Sequence, residues 1–218
     1  MMVIGSGPGG LKAAAVAAQR GHRVTLFETH RRVGGQVLLA ERLPGRAEFG
    51  GAITNLQGEA ERAGVEIVTG VRVDAGFICK RSADVVIVAT GSISRKPEIE
   101  VNDDPVLLDA RDVIGGAEVP SGRVVVADWR CDWVGLGVAQ LLAERGRKVS
   151  LCVDGYMAGE MLQQYVRNEM IAAAHKAGVE VITNVRVFGV DNDTVYLSST
   201  GSMGSRSSWR TSQQRFSR

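Results

Sequence analysis

The chain has 218 residues, 44% of them apolar, and balances 26 Lys and Arg against 24 Asp and Glu. That suffices for one large or two small cores, leaves no run near the ~20 apolar residues of a membrane span, and gives no charge excess to recruit nucleic acid. Cys79, Cys131 and Cys152 form no C-x-x-C, so a disulfide scaffold, a zinc site and a dithiol centre all lack support. No leader-like segment precedes the first apolar stretch, and a reducing cytoplasm is the expected location.

The first element is a strand over Met2-Val3-Ile4, running into Gly5-Ser6-Gly7-Pro8-Gly9-Gly10. A helix over Leu11–Arg20 follows, Gly21 stops it, and a second strand spans Arg23–Glu28. Strand, G-x-G-x-x-G, helix, strand and acid in that order predict an adenine-dinucleotide turn. Gly5 permits the strand-to-helix turn, Gly7 lets the backbone approach a diphosphate, and Gly10 lets helix and strand pack closely. The helix start offers unpaired N–H groups to phosphate, and Glu28 would accept from ribose hydroxyls. Glu28 would also repel a 2′-phosphate, so the neighbouring His30, Arg31 and Arg32 read as solvated or adenine-stacking groups. In the loop that follows, Gly34-Gly35-Gln36 brings further backbone N–H groups toward the diphosphate or makes a simple turn.

A helix is predicted over Ala47–Ala63 and a strand over Val65–Val68. Asp84-Val-Val-Ile-Val-Ala89 reads as a strand buried on both faces. Thr90-Gly91 ends it at the sheet edge where ligands of open α/β sheets bind, unless it is a plain turn. Residues 92–121 read as a connection with one short helix near Asp109–Ile114.

From Arg123 the same order repeats: strand Arg123–Ala127, helix Gly135–Arg145, strand Lys148–Val153 ending at Asp154, helix Glu160–Lys176 and strand Val179–Thr183. Val185–Val190 and Thr194–Leu197 suit a hairpin around Asp191-Asn-Asp193. The turn after Ala127 is Asp128-Trp-Arg-Cys-Asp-Trp-Val-Gly135, about two residues too long for G-x-G-x-x-G and keeping only the helix glycine. Asp128 and Asp132 would face a diphosphate with negative charge, and Trp129 and Trp133 could fill its space. This lobe is expected to hold no NAD(P)H tightly; in the opposing arrangement Arg130 meets the phosphates and the aspartates face solvent. After Ser198 the sequence becomes Ser- and Arg-rich and loses periodicity, as a flexible tail would.

The alternation predicts an α/β fold: tandem Rossmann-like lobes with parallel sheets in three layers. The expected divisions are a first nucleotide-binding lobe at 1–117, a second lobe at 118–198 and the tail at 199–218. His22 and His175 lie beside helix ends and read as solvated or capping. No Ser/His/Asp set, carboxylate pair or metal-ligand spacing can be assembled, so no catalytic or metal residue is assigned.

Taken together, Val3–Gly10, Glu28 with Gly34-Gly35-Gln36, Leu43–Phe49, Asp84 to Thr90-Gly91, and Leu108–Val113 resemble the C-terminal region of Old Yellow Enzyme-type NADH:flavin oxidoreductases. The resemblance covers about residues 2–198, and the acidic second turn is most similar to the amine dehydrogenase and demethylase branch. It implies FAD or ADP in the first lobe, with Gly5, Ser6, Gly7, Pro8, Gly9, Gly10, Glu28, Gly34, Gly35, Gln36, Thr90 and Gly91 as contacts. It further implies an FMN-bearing (β/α)8 barrel and an iron–sulfur centre in an N-terminal part that this sequence does not contain, and a return segment whose absence suggests a premature end. The expected role is the nucleotide-binding portion of a flavin-dependent oxidoreductase, not competent alone. The alternatives are a non-enzymatic adenine-nucleotide-binding remnant and an NAD(P)H-dependent flavin reductase.

Overall fold

The computed structural model describes residues 1–200 and the backbone of Arg206–Arg210. Two compact units divide at Ser94/Arg95, earlier than the expected 117/118. Part of the expected connection belongs to the second unit: Glu100 and Val101 pair with Gly189 and Val190.

The first unit runs β1 (Met2–Ile4), α1 (Pro8–Gln19), β2 (Thr25–Glu28), α2 (Val37–Ala40), α3 (Phe49–Arg62), β3 (Glu66–Thr69), α4 (Ala75–Arg81) and β4 (Val86–Val88). Its strands form one parallel sheet in the order β3-β2-β1-β4. Alternate side chains leave opposite faces of a strand, so each strand serves two cores. Val3 and Leu26 join Leu11, Ala14, Ile53 and Ala60 beneath α1 and α3. Met2, Ile4 and Phe27 pack on the other face with Phe77 and Ile78 of α4. Three layers result, and small alanines on α1 permit close contact with the sheet.

One expectation for this unit fails. The strand within Asp84–Ala89 is not buried on both faces: Val85 is 46% and Val88 69% exposed. Among the described residues β4 pairs only with β1, so it is a sheet edge with less cover than a central strand receives. The sequence pattern also does not signal α4, although Asp74 caps it by accepting from Phe77 N–H at 2.8 Å.

The second unit runs β5 (Glu100–Val101), α5 (Ala110–Gly115), β6 (Arg123–Asp128), α6 (Trp133–Glu144), β7 (Lys148–Val153), α7 (Gln164–Lys176), β8 (Glu180–Ile182), β9 (Val185–Val190), β10 (Thr194–Ser199) and β11 (Arg206–Arg210). β6-β7-β8 is a parallel sheet, as the repeat predicts. The predicted hairpin is present, with β9 and β10 antiparallel. A second sheet, β11-β10-β9-β5, has no counterpart in the sequence-based expectation; it is antiparallel except where β5 runs parallel to β9. Arg206–Arg210 is therefore a strand within the segment expected as a flexible tail, and the rest of 201–218 lies outside the described residues. Among the described residues no helix is long and apolar enough to cross a membrane.

Candidate functional site

The first turn follows from its glycines. Gly5 has φ +99°, and a Cβ there would strike the Ala89 carbonyl at the end of β4. A Cβ on Gly10 would land on the Gly5 carbonyl oxygen, so α1 comes this near to the end of β1 only with glycine in place. Gly7 differs. Its backbone (φ −64°, ψ 175°) suits any residue, and a Cβ there would meet nothing within 4 Å. Neither conformation nor internal packing accounts for glycine at this position.

Two other segments converge on the turn. Gly34 N–H donates to the Ser6 carbonyl at 3.0 Å, and a Gly35 Cβ would lie 3.1 Å from Gly7 Cα, so the two glycine loops lie against each other. Gln36 Nε2 donates to Ser92 O and Oγ at 3.0 and 3.1 Å, tying this loop to the chain just after Thr90-Gly91. Thr90 Cα stands behind Gly5 at the carboxyl end of β4. The structure thus brings together Gly5–Gly10, Gly34–Gln36 and Thr90-Gly91 from distant parts of the sequence. Pro8 opens α1, whose first N–H groups lack intrahelical partners and whose positive dipole end suits an anion.

Glu28 ends β2 with only 7% of its surface exposed. Oε2 accepts from Ser6 N–H at 2.9 Å and from the Ser6 hydroxyl at 2.6 Å, while Oε1 accepts from His30 N–H at 2.8 Å. Burial alone would raise the carboxyl's pKa, but the His30 and Ser6 hydrogen bonds outweigh it and hold the group below the usual carboxylate value. His30 contributes its backbone, a role the sequence did not signal, and its side chain is exposed. Arg32 is paired with Glu41 at 3.2 Å.

The second turn is built on another plan. Asp128, at the end of β6, turns its carboxyl inward against Gly135, where any Cβ would overlap it. Its side chain does here what the Gly5 main chain does in the first turn, and the partners stand seven residues apart instead of five. Oδ1 accepts from Arg130 and Cys131 N–H, each at 3.0 Å; Oδ2 is buried with no hydrogen-bond partner. Burial pushes the carboxyl up to about 6 despite those two donors, and Asp132 and Asp154 add repulsion. Asp132 caps α6, accepting from Val134 N–H at 2.8 Å.

Both aspartates therefore serve the turn's own backbone: Asp128 faces inward and Asp132 caps the helix. Arg130, the candidate phosphate partner, instead pairs with Asp132 at 2.8 Å. Trp129 does not fill the turn. It packs on the β9–β10 cluster, with the Arg186 guanidinium 4.5 Å from its ring. Asp154, at the position matching Glu28, accepts a long 3.7 Å contact from the Cys131 thiol. A shallow hollow of about 500 Å³, lined by Glu98, Ile99, Glu100, Phe188 and Ser198, shares no residue with either turn.

Comparison with known proteins supplies the context for this geometry. Residues 1–207 match the family described as pyridine nucleotide-disulphide oxidoreductase. The N,N-dimethylglycine/sarcosine dehydrogenase of Chromohalobacter salexigens is 36% identical over 165 residues, covering 73% of this chain and 24% of that protein. The bilirubin reductase of Mediterraneibacter gnavus is 34% identical over 195 residues, covering 89% of this chain and 30% of that one. In structure, histamine dehydrogenase from Rhizobium sp. 4-9 matches with a TM-score of 0.91 at 23% identity, over 96% of this chain and 34% of that one, which establishes the shared fold. The chain spans about a quarter to a third of the length of these relatives.

Proposed function

The chain belongs to the pyridine nucleotide-disulphide oxidoreductase family, and from that membership and its first turn we propose that it holds FAD or ADP within a flavin-dependent oxidoreductase of the amine dehydrogenase or demethylase type. The observation that carries this reading is Gly7: the fold makes no use of its missing side chain, whereas a diphosphate lying along the turn would. The residues fit such a group. Backbone N–H groups of Gly7, Gly9 and Gly10 at the start of α1 would hold the diphosphate, and Glu28 would accept from ribose. Gly34-Gly35-Gln36 and Thr90-Gly91 would flank the ligand.

FAD, if bound, supplies electron transfer, whereas ADP supplies no redox chemistry and serves structurally. The chain's own part is to bind, to orient and to exclude a 2′-phosphate. The second unit holds no nicotinamide nucleotide tightly, because Asp132 caps its helix at Val134 N–H and Asp128 turns its charge to the loop N–H groups of Arg130 and Cys131. The remaining chemistry, on an FMN barrel with an iron–sulfur centre in the cytoplasm, falls to parts outside this sequence.

The test is to purify the chain, denature it, and identify released nucleotide by absorbance and mass. FAD or ADP supports the reading and decides between the two. No released nucleotide, and no uptake of either on titration, overturns it and leaves a remnant without a ligand. Hydride transfer from NADPH to a bound flavin would overturn the assignment of the second unit and favour the reductase alternative.

A further inference from the structure

We propose that Ser6 is a positioning residue that aims the Glu28 carboxylate at a ribose hydroxyl, making the first unit selective for adenine nucleotides with an unmodified ribose. This inference rests on the nucleotide-binding reading above. It deepens it by assigning the specificity to a buried hydroxyl in the glycine turn. Alanine would fill the same space, so the Ser6 hydroxyl, fully shielded from solvent, is explained by what it bonds. It bonds Glu28 at 2.6 Å, the shortest contact in the turn.

Counting acceptor sites shows the consequence. A carboxylate offers about four lone-pair positions. Oε2 receives two donors, both from Ser6, and Oε1 receives one, from His30. Among the described residues one position is left, on Oε1, and it suits a single hydroxyl donor. Three donors also fix the carboxylate's rotation and keep it ionised in a buried place. A fixed, ionised acceptor takes a hydroxyl and repels a phosphate. Of the cations that follow Glu28 in the chain, Arg32 is engaged by Glu41.

The experiment measures dissociation constants for ADP and 2′,3′-dideoxy-ADP by calorimetry, on the wild-type chain and on Ser6→Ala. Wild type is expected to prefer ADP about tenfold, the worth of one charge-assisted hydrogen bond. Ser6→Ala removes the hydroxyl donor but keeps the backbone one, and should shrink that preference toward one, with ADP losing more affinity than its dideoxy analogue. Loss of ADP binding on acidification should also begin at a higher pH in the variant, because a donor to the ionised form is gone. A merely structural Ser6 would weaken both nucleotides alike, and that result overturns the proposal, as does an unchanged preference. Should Ser6→Ala not fold, Ser6→Cys, a poor donor of similar size, carries the same two expectations. Wild-type chain that binds neither nucleotide and releases no FAD on denaturation overturns the nucleotide reading and this inference together; binding of both with equal affinity overturns this inference alone.

Discussion

Asp128 is a buried acid that costs stability at neutral pH, and replacing it with asparagine measures how much. Its pKa is raised from 3.8 to about 6. A carboxyl with a raised folded-state pKa binds its proton more tightly in the folded chain than in the unfolded one. Its ionisation therefore opposes folding. The penalty is absent below about pH 4, grows between pH 4 and 6, and is complete above 6. About two pKa units at about 1.4 kcal/mol each set a ceiling near 3 kcal/mol.

An asparagine side chain in this place would keep an oxygen for Arg130 and Cys131 N–H but give up the charge on it, returning roughly 1 kcal/mol. Asp128→Asn should thus stabilise the second unit by about 1–2 kcal/mol at pH 7.5, seen as a rise of about 2–6 °C in its melting temperature. At pH 4 the gain should vanish or reverse. Thermal melts by circular dichroism at both pH values decide it. A variant destabilised equally at pH 4 and 7.5 would refute the reasoning, because the unpartnered Oδ2 would then carry no ionisation penalty.

The glycines give three further expectations. Gly7→Ala should leave stability within about 0.5 kcal/mol of wild type, since its Cβ meets nothing, yet weaken ADP at least about tenfold by calorimetry. Equal affinity in this variant would remove the main support for the nucleotide site. Gly10→Ala should lower stability by more than about 2 kcal/mol in denaturant titrations and abolish nucleotide retention, because its Cβ meets backbone that cannot step aside. Gly135→Ala should be destabilising alone but much less so together with Asp128→Gly, a non-additivity of about 1–2 kcal/mol, since the added methyl collides with the Asp128 side chain from its Cβ outward.

Much of the first site could be read directly from the sequence, because its signals are local. Gly5, Gly7, Gly10 and Glu28 lie within 24 residues, and their spacing reports one turn and one crossover. Gly34–Gln36 and Thr90-Gly91 are legible only as separate loops, and their convergence on that turn is not. The Gln36–Ser92 link joins residues 56 apart and leaves no periodic trace. The role of His30 could not be read either, because any residue but proline supplies the same N–H. The exposure of Val88 is hidden for another reason: a β-branched run looks alike in a central strand and an edge strand, and only sheet order tells them apart. β5 and β11 depend on pairing with the hairpin, which their own residues do not announce.

The two turns answer one physical problem in opposite ways. A helix leaves its first N–H groups without intrahelical partners. In the first unit they are left open above a glycine that presents no side chain, and the acid at the end of β2 is held to one side by Ser6 and His30. In the second, Asp132 caps the helix and Asp128 satisfies the loop's N–H groups, at the cost of a buried and partly unpartnered carboxylate. Such a carboxylate is destabilising, and a glycine turn with a bound anion would avoid that penalty. The second turn's loop and cap donors are nevertheless met by its own side chains. Those side chains close it, whereas the first turn leaves its helix start open, which is the arrangement the proposed diphosphate site requires.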